Sequence, residues 1–141
     1  MKMILFFGKI QFLKNLGYTI LETNYRYGRL EADILALNDG VMVVVEVKTR
    51  SNPYFGAPEE FVTQNKQNHL IAIANHYLEK LPSDLEVRFD IIAVLKTDTG
   101  FKIEHIANII ILFLKENLKY GCFGFTIYFT KFLEGFFKIL S

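Results

Sequence analysis

Glu46 and Lys48 close the run VVVEVKTR (43–50), where three valines lead straight into a carboxylate and an ammonium two residues apart. Upstream, Glu31 and Asp33 stand at the same spacing in LEADILAL (30–37), and Asp39-Gly40 lies between the two runs. An Asp-Gly pair between apolar stretches is a strong signal for a two-residue hairpin turn. With those residues as the loop, Asp33 is expected opposite Glu46 and Glu31 opposite Lys48. All four side chains would then share one face, because strand side chains alternate with period two and pairing preserves the alternation.

Directly opposed carboxylates on a buried sheet repel each other, and desolvation adds to the cost. A divalent cation resolves both problems. One Asp and one Glu supply the hard oxygens that suit Mg²⁺ or Mn²⁺, with the Val47 carbonyl as a third ligand and waters and a substrate phosphate completing the shell. Lys48 beside the metal can hold or deprotonate an attacking water, or neutralise charge on the phosphate. The arrangement E-x-D, turn, E-x-K is therefore a coherent layout for phosphodiester hydrolysis. A surface ion pair on a solvated strand is the competing explanation of Glu46 and Lys48. The matched register on strands that are otherwise apolar on both faces tells against it.

Around this centre, Arg26, Arg50, Lys66 and Gln64 are candidate nucleic-acid contacts. Arg50 continues the Glu46/Lys48 alternation. Lys66 precedes the helical stripe at Leu70 by one turn, which aims it at the sheet, and Gln64 opens the same helix.

The elements that must position these residues are legible from period and punctuation. IQFLKNLGY (10–18) forms the last turns of a helix stopped at Gly17. YTILETNYRY, LEADILAL and VMVVVEVKT are three strands, and PYFGAPEE is a loop. From about Thr63, Leu70, Ile73 or Ala74, Tyr77 and Leu81 recur at helical spacing until Pro82. LEVRFDIIAVLK and GFKIEHI follow as strands on either side of the turn signal TDTG. The expected order is α-β-β-β-α-β-β, an α/β fold with a mixed sheet, a central antiparallel hairpin and flanking helices.

The whole-chain figures narrow the function classes. A chain of 141 residues with 51% hydrophobic and 22% charged residues is long and apolar enough for one packed domain. Net charge is +1, so any basic patch is local. The single Cys122 excludes an internal disulfide and a cysteine zinc cluster, as suits a reducing cytosol. The apolar run at the start is about six residues, short of a signal peptide's roughly 7–15, so the expected location is the cytoplasm. Seven of the 14 Phe lie between Phe113 and the end, which divides a domain over 1–108 from an aromatic extension over 109–141. That extension is expected as extra helix over the sheet, ahead of a self-association or membrane-surface segment. Its longest uncharged stretch, Tyr120–Thr130, is about half of the roughly 20 residues a membrane span needs.

Three histidines and three tyrosines complete the candidates. His69 and His76 are seven apart on one helix and are expected to face solvent, since helical metal pairs use i, i+4. His105 has no partner visible in the sequence. Tyr18, Tyr25 and Tyr27 could stack on bases, although packing at the sheet is the commoner role for tyrosines there.

The residues NYRYGRLEADILALNDGVMVVVEVKTRSNPYFGAPEEFVTQNKQNHLIAIANHYL, followed by VRFDIIAV, resemble the YraN-like family of uncharacterised bacterial proteins. Shared in order are N-x-R, an E-x-D strand, V-E-V-K-T-R, F-G with a Lys-bearing helix, and R-F-D-I-I. The resemblance covers about residues 10–108. It implies a restriction-endonuclease-like core of the PD-(D/E)xK, Holliday-junction-resolvase-like type. It also implies nucleic acid as partner, DNA ahead of RNA; a second copy of the chain is a further expected partner, apart from the resemblance. By this resemblance Asp33, Glu46 and Lys48 take the three core positions and Glu31 is an accessory acid. One departure is the first helix: where the family carries Gly-Glu, this chain has LFFGKIQ, and its first acid is Glu22. The implied activity is a metal-dependent endonuclease. The alternatives are a binding or scaffolding module of the same fold that has lost catalysis, and a protein whose tail drives oligomerisation or membrane-surface binding.

Overall fold

Positive φ at both Asp39 (50°) and Gly40 (75°) makes the hairpin turn expected of an Asp-Gly pair. A computed structural model of the chain describes residues 2–51, 63–81 and 85–109. Its elements are α1 (Lys2–Asn15), β1 (Thr19–Tyr27), β2 (Leu30–Asn38), β3 (Val41–Arg50), α2 (Gln64–Leu78), β4 (Glu86–Thr97) and β5 (Gly100–Ile106). The predicted loop PYFGAPEE, the helix stop at Pro82 and the aromatic extension beyond Ile109 lie outside the described residues.

The order α-β-β-β-α-β-β is the expected one, and the five strands form one sheet ordered β1-β2-β3-β4-β5. β2 and β3 pair antiparallel from Asn38↔Val41 to Ile34↔Val45, the register that the turn dictates. β3 and β4 pair parallel, with α2 between them in sequence as the crossover that a parallel pair requires. The other pairs are antiparallel, so the sheet is mixed, with the β2–β3 hairpin in its interior.

Both faces of the sheet are covered, which is why β2 and β3 are apolar on both sides. On one face Leu35, Met42, Val44, Phe89 and Ile91 meet Leu70, Ile73, Ala74 and Tyr77 of α2. Ile109, the one described residue of the aromatic extension, is buried in this cluster. On the other face Ile34, Ala36, Val43, Val45, Ile92 and Val94 meet Leu13 of α1 and Tyr18.

Each helix end has a local cause. The Tyr18 N–H bonds the Leu13 carbonyl at 3.0 Å and the Gly17 N–H bonds the Lys14 carbonyl at 3.0 Å. That paired pattern needs a left-handed residue, and Gly17 supplies it with φ of 87°. At the start of α2, the Thr63 hydroxyl caps the helix by accepting from the Lys66 N–H at 3.3 Å. The cap fixes the first turn, and with it the position of Lys66. Among the described residues no helix is long and apolar enough to cross a membrane.

Candidate metal and phosphodiester site

Glu46 lies where the buried part of β3 ends, on the α2 side of the sheet, and is only 6% exposed. Val44 on the same face is core, so the carboxylate starts from an apolar wall. Two ammonium groups compensate the buried charge. Lys48 Nζ is 3.2 Å from Glu46 Oε1, as i, i+2 residues on one strand face should be. Lys66 Nζ comes down from the capped turn of α2 to 3.1 Å from Oε2. Lys66 Nζ also donates to the Glu31 carbonyl at 3.4 Å, which ties α2 to β2 beside the site. Although Lys66 is within ion-pair distance, Oε2 accepts no hydrogen bond of acceptable geometry. Two cations more than offset the one carboxylate, while hydrogen bonding at Oε2 is left incomplete.

Asp33 reaches β3 by a route that strand alternation does not anticipate. The β2–β3 ladder stops at Ile34↔Val45, so Asp33 and Glu46 are not ladder partners. The β1–β2 ladder passes from Thr23↔Ile34 to Tyr25↔Ala32, with Asn24 between them at φ 50°. Asp33 therefore lies at a break in both ladders. Its Oδ2 accepts the Val47 N–H at 2.7 Å, supplying the acceptor that β2's backbone no longer gives. The strands part here, and Asp33 bridges them at the Val47 amide.

The break also reverses the side-chain alternation of β2. Leu30 and Ala32 pack on the α2 side, whereas Ile34 and Ala36 pack on the α1 side. Tyr25 and Tyr27, the partners of Ala32 and Leu30, likewise touch α2. Arg26 and its partner Glu31 consequently face the other way, where they form an exposed ion pair of 3.2 Å. The expectation that Glu31 shares a face with Asp33, Glu46 and Lys48 is thus corrected. The unbroken period of two on which it rested does not run through Asp33. An exposed pair of this kind contributes at most about 1 kcal/mol. Glu31→Gln is therefore expected to leave urea stability within that margin and divalent-metal affinity unchanged. A loss of metal affinity in calorimetry would return Glu31 to the site.

The remaining candidates are placed as follows. Arg50 ends β3 and is half-buried. The Gln64 side-chain amide donates to Asn68 Oδ1 at 3.2 Å on the exposed side of α2. His69 is exposed, but His76 stacks on the Tyr27 ring and does not simply face solvent.

Two groups matter that the spacing arguments pass over. One is Lys9 on α1, whose ammonium feels the charge of Asp33. Burial pushes its ammonium below the ordinary lysine value, and the negative charge of Asp33 opposes that fall. α1 thus sets a cation, not an acid, within electrostatic reach of Asp33. The second is Asp90, 1% exposed on β4. It accepts from Arg88 Nε at 2.9 Å, Arg88 Nη2 at 2.9 Å, His105 Nε2 at 2.8 Å, the Asn108 N–H at 3.1 Å and the Tyr18 hydroxyl at 3.3 Å. Arg88 Nη2 also donates to the Tyr18 hydroxyl. His105, without a visible partner in the sequence, is thus bound to a buried carboxylate. The network lies on the α1 face, opposite Glu46, and joins β4, β5 and the turn after α1.

The donor set can be tested against a metal. Two carboxylates and a main-chain carbonyl at Val47 suit a hard cation that keeps most of its water, as Mg²⁺ does. The hydrogen-bond-deficient Oε2 of Glu46 is an oxygen with capacity for such a ligand. Among the described residues no cluster of three or more His, Cys, Asp or Glu forms a cage, so a closed zinc-type centre does not fit them.

Residues 9–94 match the family model described as uncharacterised protein family UPF0102. The chain is 47% identical to a UPF0102 protein of Christiangramia forsetii, over 69% of this chain and 82% of that protein. It is 48% identical to a UPF0102 protein of Flavobacterium psychrophilum, over 68% of this chain and 81% of the relative. A Chlorobium phaeobacteroides UPF0102 protein is 43% identical, over 70% of this chain and 84% of its own length. The matched region contains Asp33, Glu46, Lys48, Lys66 and Asp90, and stops short of His105.

Proposed function

The chain belongs to uncharacterised protein family UPF0102, and from that premise we propose a metal-dependent phosphodiesterase that acts on nucleic acid. The family supplies no activity, so the reading rests on one observation. A buried carboxylate, Glu46, is held between two ammonium groups with an oxygen left short of hydrogen bonds, beside the amide that Asp33 anchors.

Asp33 and Glu46 would hold Mg²⁺ or Mn²⁺, with the Val47 carbonyl as third ligand. When bound, the ion supplies charge neutralisation and polarisation of a phosphoryl oxygen. Lys48 carries three donors in the same place. It orients the attacking water and offsets negative charge as the phosphate becomes five-coordinate. Lys66 is a second cation for a substrate phosphate, held in reach by the α2 cap. Arg50 lies one alternation beyond Lys48 on β3 and extends the basic track. Because the chain's net charge is +1, this local track rather than a global field would attract the polyanion.

A second reading is favoured by α1, which has no acid along Lys2–Asn15 and carries Lys9, whose ammonium feels the charge of Asp33. It is a module that binds nucleic acid and no longer cuts it. One experiment separates the two. Mn²⁺ and Mg²⁺ titrations by calorimetry are followed by a cleavage screen over structured DNA and RNA. The hydrolase reading expects metal binding that Asp33→Ala weakens by at least about tenfold, and cleavage that Lys48→Ala lowers by about 10²-fold or more. No metal binding by the unmodified protein overturns it. Salt-dependent nucleic-acid binding without cleavage establishes the binding module.

A further inference from the structure

The same face of the sheet carries an aromatic stack that the hydrolytic site does not use. The Tyr27 ring lies on the His76 ring with centroids 3.9 Å apart and planes 14° from parallel. Tyr25, two residues earlier, meets Tyr77 edge-on at 5.1 Å, and Lys80 Nζ donates to the Tyr25 hydroxyl at 2.9 Å. Tyr25 and Tyr77 are thereby absorbed into packing. Tyr27 is not: it remains 42% exposed at the end of β1. His76 covers one face of the ring, and the residue keeps a large exposed surface. Arg26 and Arg29 flank it at the β1–β2 turn, and the Arg26 side chain is 74% exposed. Three carboxylates also lie nearby: Glu31 on Arg26, Glu79 at 4.0 Å from His76 Nδ1, and Glu22 earlier on β1. The platform is therefore near neutral, and its recognition chemistry is stacking rather than charge.

Its location gives it a role. Tyr27 pairs with Leu30, whose neighbour Glu31 gives its carbonyl to Lys66, and Lys66 spans from there to Glu46. From β1 to β3 is two strand spacings, roughly 10 Å, and Tyr27 is offset from the level of Glu46 by three residues, roughly 10 Å more, so the two lie roughly 14 Å apart. A strand of about four stacked nucleotides at roughly 3.4 Å each covers that distance. A base inside a duplex is already stacked on its neighbours and has no free face to offer.

We propose that the Tyr27/His76 stack is a platform for an unpaired base, so that the protein takes single-stranded or branched nucleic acid with an unpaired nucleotide near the Glu46 site. This rests on the nucleic-acid reading above and names its substrate class. The two rings are already stacked, so receiving a base orders little that is not ordered beforehand.

The test measures affinity, in EDTA, for a single strand of about twelve nucleotides, within the usual range of site sizes, and for the duplex of the same sequence. Tyr27→Leu should weaken single-strand binding by about 5- to 100-fold, the effect of losing one base–aromatic stack, while duplex affinity holds. Tyr27→Phe, which keeps the ring, should stay close to the unmodified protein. A 2-aminopurine in the single strand should lose fluorescence on binding the unmodified protein, and this reading requires no variant to fold. Unchanged single-strand affinity in Tyr27→Leu, an equal loss on duplex, or an unquenched 2-aminopurine overturns the platform and leaves the hydrolase standing. Failure of the unmodified protein to bind any nucleic acid overturns both.

Discussion

Asp90→Ala is expected to remove about 3–5 kcal/mol of folding stability, the cost of breaking a buried charge pair from one side. A small domain has only about 5–15 kcal/mol in total, so the variant should lose a large share of its stability. The reason is the number of groups that depend on this one carboxylate. Arg88 would lose its bidentate partner while most of its side chain stays covered. His105 and the Tyr18 hydroxyl would lose acceptors in the same step. With them go the ties among β5, the turn after α1, and β4. Urea unfolding measures this directly, and a difference below about 1 kcal/mol would be the size of an ordinary surface effect and would refute it.

The same carboxylate sets a pH dependence. Burial pushes the Asp90 carboxyl up, but hydrogen bonds from His105, Arg88 and the Asn108 N–H outweigh it and hold it below the ordinary carboxylate range. A carboxyl whose folded value is depressed binds its proton more readily in the unfolded chain. Its stabilisation is complete above the unfolded value of about 3.9 and drains away as pH falls through the folded one. Acid titration of stability should show this loss below about pH 4 in the unmodified protein, and Asp90→Asn should lack that part of the slope.

What the sequence made legible follows from how local each cause is. The Asp39-Gly40 turn and the Gly17 helix stop depend on one or two residues whose φ must be positive, so both appear in the residue types themselves. The alternation that placed Glu31 in the site depends on nine consecutive residues of β2 staying in one ladder, and a single break defeats it. The only local signal of that break is Asn24, a residue type that tolerates left-handed backbone better than most. Asp33 stayed beside β3 because its side chain, not its strand register, carried it to Val47. The Asp90 network was within reach of the same hairpin arithmetic. Closing β4 and β5 at Thr97↔Gly100 puts His105 opposite Ile92, one diagonal step from Asp90. Arg88 is two residues from Asp90 on the same strand. Lys9 and the Tyr27/His76 stack were not accessible in this way, because each joins a helix to a strand and no spacing rule fixes where a helix settles.

Glu46→Gln is expected to abolish divalent-metal binding while leaving stability within about 1 kcal/mol of the unmodified protein, or raising it. The two halves of this expectation distinguish a ligand from a structural ion pair. Taking a carboxylate out of water costs several kcal/mol, and attraction to its partners repays this fully only when every oxygen is also well hydrogen-bonded. Oε2 of Glu46 falls short of that standard even with Lys66 at 3.1 Å. An amide of the same shape removes the buried charge and keeps the packing against α2. The two lysines it would release retain 35% and 30% exposure of their side chains, so their ammonium groups can turn toward water on long apolar stems. Asp90 differs on each of these points, since both its oxygens are saturated and its partners have little access to solvent. Calorimetry with Mn²⁺ and urea unfolding on the same Glu46→Gln preparation supply both readouts. Destabilisation beyond about 2 kcal/mol would identify Glu46 as a partner that the two lysines need for folding. Stability held with metal binding lost would show a buried charge maintained for what it binds.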